Sequence, residues 1–250
     1  MPARPAPLPL VLWTWFALIL CATSAFFLQL ALVPLTWWWD RNRRITGRLY
    51  RLAAICTARL TPLWDFRVLG ELPIRRPGRT VVVGNHCSQT DPFLISHLPW
   101  EMKWLGKASL FRVPVLGWAM WLAGDVPVVR GEKTSARSAM ARCRRYLERG
   151  MPVMIFPEGT RSLTDELGPF KDGAFQLAIE SGADILPIAV YGTATALPVH
   201  DWRFGRARAF VKVGDPISTA GMGLEDVQHL KQIVRAEIEA LRASIRPHVD

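Results

Sequence analysis

The sequence predicts an α/β fold in which a mostly parallel central sheet is flanked by helices. Apolar runs with the length of buried strands occur at 81–83, 153–156, 185–190 and 210–213. Two segments with helical character, 134–149 and 224–245, lie among and after these runs. Strands that alternate with helices favour parallel pairing, with helices covering both faces of the sheet. A long uncharged segment precedes this part of the chain and is predicted to form a separate, helical part of the structure.

Residues 1–62 are predicted to form helices that anchor the chain to a membrane. The stretch 8–39 contains no charged side chain, and it exceeds the roughly 20 residues that a helix needs to cross a bilayer. Tryptophans near both of its ends suit the two membrane–water interfaces. No small-residue cleavage pattern follows, which argues against a removed signal peptide. Either the stretch crosses the membrane once, or Pro34 ends a first helix and the chain turns back.

The stretch 40–60 is predicted to be a basic amphipathic helix on an anionic lipid surface. Its arginines are Arg41, Arg43, Arg44, Arg48, Arg51 and Arg59, with apolar residues between them. On the other flank of the apolar stretch only Arg4 is charged, so this side and the domain 63–250 are predicted to face the cytoplasm, at the inner membrane. The net charge of +10 is interpreted as a sign that the protein binds anionic membrane lipids. Nucleic acid is not predicted as a partner, because no zinc-knuckle or aromatic-basic RNA motif is present.

A histidine and an aspartate directly follow the apolar run 81–83. His86 titrates near neutral pH and suits a general base, while the Asp91 carboxylate would hold the imidazole in one tautomer. Residues five apart on one helix lie about 140° apart, so the pair meets only if the chain turns between them. Asp91-Pro92 predicts that turn, with Asp91 as the N-cap of a helix and Pro92 as its first residue. The alternative is that Asp91 is only a cap and His86 only a polar residue at a strand end.

A second polar turn follows the run 153–156. Gly159 permits close backbone approach, and the planar guanidinium of Arg161 suits a phosphate. Glu158 is predicted either to orient Arg161 or to bind a hydroxyl group, and Thr160 belongs to the same turn. The alternative is an ordinary exit from a strand with a surface ion pair.

Taken together, the two turns carry a family resemblance. Asn85-His86-x4-Asp91 followed by Phe156-Pro157-Glu158-Gly159-Thr160-Arg161 resembles the glycerolipid acyltransferases, specifically the 1-acylglycerol-3-phosphate O-acyltransferases (lysophosphatidate acyltransferases). Weaker matching blocks are a lysine-bearing segment, a glycine-to-arginine segment and a proline-interrupted strand, at 106–111, 124–130 and 185–190. The resemblance covers about 63–216 and implies a glycerolphosphate-acyltransferase-like fold.

The resemblance implies a mechanism and a set of site residues. His86, oriented by Asp91, would deprotonate the sn-2 hydroxyl of lysophosphatidate, which then attacks the thioester of acyl-CoA or acyl-carrier protein to give phosphatidic acid. Direct attack requires no cofactor, no metal and no acyl-enzyme, so Cys87 is not predicted to be a nucleophile. The residues implied to bind the acceptor are Lys107, Arg130, Glu158, Gly159, Thr160 and Arg161, with the three cations on its phosphate.

Two other functions remain open from the sequence. The first is acyl transfer to another lysolipid, such as a lyso-ornithine lipid, with unchanged chemistry at His86. The second is a membrane lipid-binding protein without catalysis. Trp118, Met120 and Trp121 are predicted to pack in the core rather than to line an acyl-chain groove. His97 is predicted to lie on the helix that follows Asp91.

Overall fold

A computed structural model describes residues 6–74, 77–162 and 164–249 of the chain. The first residues of the predicted anchor, including Arg4, lie outside these ranges. The fold is α/β, as predicted. The strands are β1 (Trp64–Val68), β2 (Thr80–Gly84), β3 (Lys103–Lys107), β4 (Val126–Val128), β5 (Val153–Ile155), β6 (Asp184–Tyr191) and β7 (Ala207–Val213). The helices are α1 (Leu8–Thr36), α2 (Arg44–Leu60), α3 (Asp91–Ile95), α4 (Leu116–Ala123), α5 (Lys133–Glu148), α6 (Gly173–Ser181) and α7 (Val227–Ile245).

The described strands form one mostly parallel sheet in the order β1-β7-β6-β2-β5-β3-β4. Neighbouring strands from β6 across to β4 run parallel, with β2 between β6 and β5. Strand β7 is antiparallel to β6 and parallel to β1. One edge of the sheet therefore collects the carboxyl ends of β2, β3, β4, β5 and β6 together with the amino ends of β1 and β7.

The sheet is buried on both faces, which explains why its central strands are continuously apolar. In β2, Val82 packs on one face, and Val81 and Val83 pack on the other. Helices α5, α6 and α7 cover the face of Val81, and residues of α1, α2 and α3 pack on the face of Val82. This packing fixes the strand ends that carry the polar turns.

The N-terminal segment forms two helices that pack against each other. Of the two alternatives left open for this stretch, a helix end at Pro34 is wrong, because α1 continues through it to Thr36. The chain reverses between residues 37 and 43. Asp40 then starts α2 by accepting hydrogen bonds from the N–H groups of Arg44 and Ile45, each at 2.9 Å. Among the described residues, α1 is the one helix with the length and apolar composition to cross a membrane.

Helix α2 is tied to the α/β domain by buried charges rather than lying free on a surface. Arg51, predicted as part of the exposed basic face, is buried and pairs with Asp125. Fully buried Lys103 donates to Glu101 at 2.9 Å and to the carbonyl oxygens of Arg43 and Ala123 at 2.8 and 2.7 Å. The prediction for α2 is therefore wrong at Arg51, whose charge is used within the protein.

Two smaller predictions also differ from the structure. Trp118 and Trp121 on α4 are 49% and 46% exposed, and only Met120 between them is buried, so core packing is wrong for both tryptophans. His97 lies beyond the end of α3, in a turn where its Nδ1 is 2.9 Å from the carbonyl oxygen of Phe93.

Candidate active site

The sheet topology places all the predicted site residues at one edge. His86 follows β2, the 158–161 turn follows β5, Lys107 ends β3, and Arg130 follows β4. These four strands are neighbours and run parallel, in the order β2-β5-β3-β4. Because carboxyl ends of adjacent parallel strands share one edge, segments far apart in sequence meet there. The histidine lies at the centre of the sheet and the cations lie to one side of it.

His86 and Asp91 form a close pair. The His86 Nδ1 atom lies 2.7 Å from the Asp91 Oδ2 atom, so the chain does turn between them. The same Asp91 oxygen accepts the backbone N–H groups of Cys87 at 2.7 Å and Ser88 at 3.0 Å. Asp91 is fully buried, and its second oxygen accepts the hydroxyl of Thr193. The carboxylate thus organises the whole turn and holds the imidazole from one side.

The predicted cap of α3 is wrong by one residue. Thr90 is the N-cap, and Asp91 is the first helical residue. The carboxylate of Asp91 points back to the preceding turn, where it bonds His86, Cys87 and Ser88, and it also accepts the hydroxyl of Thr193. Asp91 is therefore more than a helix cap.

The imidazole ring is fixed in an orientation that leaves one nitrogen for chemistry. The side chain of His86 is 12% exposed, and its ring stacks on Phe156 with 4.2 Å between centroids and 15° between planes. With the Nδ1 proton donated to Asp91, Nε2 carries the lone pair that accepts a proton. The arrangement suits a general base that is partly shielded from water.

Glu158 joins the two polar turns. Its buried carboxylate accepts the backbone N–H of His86 at 3.0 Å through Oε1. Its Oε2 accepts the N–H of Gly168 at 2.8 Å and the hydroxyl of Ser162, and the Ser162 N–H donates to the His86 carbonyl at 2.8 Å. Among the described residues, Glu158 makes no ion pair with Arg161. It shapes the site by fixing the backbone beside His86.

Gly159 is favoured by its backbone conformation and lies beside a lysine. Its φ of 68° lies in the left-handed region that favours glycine. A Cβ at this position would lie 2.7 Å from the Lys171 Nζ atom. Lys171 is thus a further cation beside the turn, and no sequence pattern identified it. Thr160, next along the turn, is exposed.

The cations at this edge lack acidic partners. Lys107 and Arg130 are exposed and Arg161 is half-buried. In the described parts of the chain, no carboxylate pairs with any of the three. Partial burial, and after it the positive charge of Arg161, lower the pKa of Arg130, which shows that the two guanidinium groups share one region. Uncompensated cations held together at a strand edge form a ready site for an anion.

The cysteine beside His86 is poorly suited to nucleophilic attack. Burial, and after it the charge of Asp91, raise the pKa of the Cys87 thiol to about 12. The thiolate is the nucleophilic form of cysteine, so this environment disfavours it. The geometry supports direct attack by a substrate hydroxyl.

Some supporting residues were not assigned from the sequence. Asn85 bridges β2 to β6 beyond their regular pairing, since its amide accepts from the Val190 N–H at 2.9 Å and donates to the Val190 carbonyl at 3.0 Å. Thr193 and Phe156 contact Asp91 and His86 as described above. Asn85 already stood out in the motif, but Thr193 lies far along the chain in a loop with no pattern of its own.

Comparison with known proteins places this geometry in a family. The family model described as "Acyltransferase" matches residues 65–191. A 1-acyl-sn-glycerol-3-phosphate acyltransferase of Chlamydomonas reinhardtii is 34% identical over 77% of this chain and 60% of its own length. A chloroplastic protein of that name from Brassica napus is 40% identical over 47% of this chain and 34% of its own length. The chain thus spans less than two thirds of these relatives.

A bacterial relative and a solved structure match over more of their length. The 1-acyl-sn-glycerol-3-phosphate acyltransferase of Haemophilus influenzae is 32% identical over 69% of this chain and 72% of its own length. The crystal structure of the 1-acyl-sn-glycerophosphate (LPA) acyltransferase PlsC from Thermotoga maritima has the same fold, with a TM-score of 0.65 at 22% identity over 89% of this chain and 95% of that one. The chain therefore belongs to the acyltransferase family, as its two motifs predict.

Proposed function

We propose that the protein transfers a fatty acyl group from acyl-CoA or acyl-carrier protein to the sn-2 hydroxyl of 1-acylglycerol-3-phosphate, giving phosphatidic acid. One observation carries the proposal: a His86–Asp91 pair at 2.7 Å lies on the same sheet edge as cations without acidic partners. A base beside an anion site fits an alcohol that also bears a phosphate. The names of the algal, plant and bacterial relatives support the same substrate.

The chemistry requires one proton acceptor and no covalent intermediate. His86 Nε2 takes the proton of the sn-2 hydroxyl as its oxygen attacks the thioester carbonyl. The new C–O bond forms, the C–S bond breaks, and the imidazolium returns the proton to the leaving thiolate. The Asp91 carboxylate stabilises the imidazolium while it exists. No net proton is consumed, and His86 ends in its starting state.

The cations orient the acceptor. A phosphate monoester carries close to two negative charges near pH 7, which the forks of Arg161 and Arg130 and the amine of Lys107 would balance. Glu158, Gly159 and Thr160 shape the turn between this anion site and His86. With its phosphate held to one side, the glycerol backbone presents its free hydroxyl toward Nε2.

The two alternatives fit the geometry less well. A lyso-ornithine lipid would offer the cations a carboxylate in place of a phosphate. The carboxylate carries less negative charge and would balance less of the positive charge of the three cations. A lipid-binding protein without catalysis would not need an imidazole locked by a buried carboxylate. The site therefore favours a phosphate-bearing acceptor and a chemical step.

The substrate is tested with a panel of acceptors. The full chain in lipid vesicles is incubated with isotope-labelled acyl-CoA or acyl-carrier protein and with lysophosphatidate, lyso-ornithine lipid and lysophosphatidylcholine, and the products are identified by mass spectrometry. We expect labelled phosphatidic acid as the main product. Acylation of lyso-ornithine lipid without acylation of lysophosphatidate would overturn the proposed acceptor.

We also propose that the protein works on the cytoplasmic face of the inner membrane, bound to anionic lipids, with α1 lying in one leaflet. Trp15 of α1 donates to the carbonyl oxygen of Trp202 at 3.1 Å, and Gln29 donates to that of Ala119 at 3.2 Å. These two contacts hold about 21 Å of the helix against the α/β domain. The remainder of α1 is too short to cross the ~30 Å hydrocarbon core. Its exposed apolar side chains suit insertion into a single leaflet.

A further inference from the structure

A cleft lies on the other flank of His86 from the cations. Its volume is about 780 Å³, within the range of sites that hold drug-sized ligands. Its walls come from the end of β6, the starts of β1 and β7, the C-terminal part of α7, and Ser162, Thr164 and Asp165 after β5. Two of its lining residues adjoin His86: Cys87 is next to it in the chain, and the Ser162 N–H donates to the His86 carbonyl at 2.8 Å. The cleft therefore reaches the turn that carries the proposed base.

The antiparallel strand β7 creates this cleft. Because β7 runs against β6, Tyr191 pairs with Phe210, and the segment that leads into β7 sits at the same edge as His86. This arrangement brings the exposed side chains of Arg206 and Arg208 to the cleft. Neither arginine belongs to the sequence motifs of the site.

One positive charge in the cleft is left uncompensated. Arg208 lies 3.4 Å from Asp65, and Arg242 lies 3.0 Å from Asp165. Arg206 has no acidic partner among the residues that the structure describes. Hydroxyl groups of Ser162 and Thr195 add polar groups to the lining. The cleft thus combines a net positive charge with a lining that is partly polar and partly apolar, which suits a ligand that carries a phosphate on a partly apolar arm.

We propose that this cleft binds the phosphopantetheine arm of the acyl donor, with Arg206 on its phosphate and the thioester reaching past Cys87 to His86. This inference rests on the proposed acyl transfer. Direct attack requires donor and acceptor to be bound at once on either side of Nε2. The β5-β3-β4 flank already carries the cations for the acceptor, and the cleft lies mainly on the β6-β7-β1 flank. The arm is common to coenzyme A and acyl-carrier protein, so the same cleft serves either donor.

The test separates binding of the donor from transfer to the acceptor. Full-length protein in vesicles is titrated with free coenzyme A and, in a second arm, with holo-acyl-carrier protein, without any lysolipid. The variants are Arg206→Ala, which removes the charge, and Ala194→Trp, which fills the cleft from its exposed lining position. The matched control is Arg203→Ala, an exposed arginine in the same segment that pairs with Asp201 outside the lining. KM values for donor and lysophosphatidate are then measured for each variant.

We expect Arg206→Ala to weaken donor binding and to raise the donor KM about five- to tenfold, with the KM for lysophosphatidate unchanged. Ala194→Trp should weaken both donors at least as much, and Arg203→Ala should match wild type. An effect of Arg206→Ala on both donors would support its contact with the shared arm, whereas an effect on coenzyme A alone would place Arg206 on the nucleotide phosphates and overturn the proposal. A raised lysophosphatidate KM, or unchanged binding in both cleft variants, would overturn the proposal. Donor binding that depends on Arg206 in a protein that fails to acylate lysophosphatidate would instead reject only the proposed acceptor.

Discussion

At the residue scale, one carboxylate both folds a turn and, in the proposed mechanism, orients the base. Asp91 receives hydrogen bonds from two backbone N–H groups, one hydroxyl and the imidazole of His86. The backbone bonds close the turn that brings His86 and Asp91 together, and the bond to Nδ1 sets the tautomer that leaves Nε2 free. The proposed base is thus oriented by the same group that folds its loop, so little reorganisation would be needed if the imidazolium forms.

Removal of the imidazole should abolish acyl transfer without releasing the protein from lipid. We expect His86→Ala to lower kcat roughly 10²- to 10⁴-fold, which is the usual contribution of a general base. Binding to lipid vesicles should be unchanged, because the apolar surface of α1 is untouched. The measurement is steady-state acyl transfer together with vesicle flotation.

A second histidine supplies the control for that experiment. His97→Ala removes a half-buried imidazole outside the site and should keep kcat near wild type. Cys87→Ala tests the covalent alternative and should retain most activity, because the raised pKa of Cys87 opposes thiolate formation. Equal activity in His86→Ala and wild type would remove His86 from the mechanism, and complete loss in Cys87→Ala would point to an acyl-enzyme.

Loss of one guanidinium at the anion site should affect the acceptor rather than the chemical step. We expect Arg161→Ala to raise the KM for lysophosphatidate roughly ten- to a hundredfold, as fits the loss of a charge-assisted hydrogen bond of about 1.5–3 kcal/mol. The donor KM should stay within about twofold. Arg137→Ala, on the exposed side of α5, is the matched control. Unchanged acceptor kinetics in Arg161→Ala would show that this side chain does not hold the phosphate.

At the element scale, the seating of α2 depends on buried charge. Arg51, Glu101, Lys103 and Asp125 are all buried where α2 meets the start of β3 and the end of α4. Desolvation raises the pKa of Glu101 and lowers the pKa of Lys103, so each charge depends on its partners. Breaking such a buried pair is strongly destabilising, so the cluster fixes the position of α2 on the sheet.

A single methyl group at residue 47 should disturb this cluster of buried charges. Gly47 lies on α2 where an added Cβ would overlap the Glu101 carboxylate and the Lys103 amine. Alanine gains up to about 1 kcal/mol over glycine in a helix interior, but overpacking a buried site costs about 1–3 kcal/mol, so the net effect of Gly47→Ala should be destabilising. Thermal unfolding should show a lower Tm. Gly173→Ala, where α6 begins and no atom lies near the added Cβ, should leave Tm unchanged or raise it, and an unchanged Tm in Gly47→Ala would contradict the tight contact.

Sequence periodicity predicts some of these elements and not others. The apolar runs of β2, β5 and β6 and the helical spacing of α7 identify those elements because packing on the sheet imposes the pattern. Strand β3 was not predicted, since it carries a lysine at each end, and Lys103 is buried only because Glu101 and two carbonyl oxygens surround it. The antiparallel direction of β7 was not predicted either, because strand direction depends on the course of the loop before it and not on local composition.

The same limit applies within the candidate site. His86, Asp91 and the 158–161 turn are local patterns at strand ends, so their positions follow from the sequence. The contacts of Thr193 with Asp91 and of Lys171 with Gly159 join segments that only the folded sheet brings together. Glu158 was predicted to orient Arg161 or to bind a hydroxyl group, and its bonds to backbone N–H groups have no local signature.

At the scale of the whole molecule, exposed apolar groups are concentrated on one part of the surface. Among the described residues, most large exposed apolar side chains lie on α1 and on the tryptophans that follow it, Trp37, Trp38 and Trp39. Trp118 of α4 extends this surface, because its ring lies 5.6 Å from that of Phe26 on α1. Apolar patches of this extent indicate contact with a membrane or a partner. The proposed position of α1 in one leaflet accounts for the surface without separating α1 from the contacts at Trp15 and Gln29.

The position of α1 predicts the side of the membrane on which its amino end lies. If α1 lies in one leaflet, Pro7 at its start and Cys56 on α2 should face the same compartment, whereas a spanning α1 would place them on opposite sides. Pro7 and Cys56 are both exposed. Two proteins are therefore labelled with a membrane-impermeant maleimide: the wild-type protein, which has its native Cys56, and a double variant, Pro7→Cys with Cys56→Ser. We expect both proteins to react in inverted vesicles and neither to react in right-side-out vesicles, because both thiols then lie on the cytoplasmic side. If the double variant reacted only in right-side-out vesicles while the wild-type protein reacted only in inverted ones, α1 would cross the bilayer and its contacts with the α/β domain would break in the membrane.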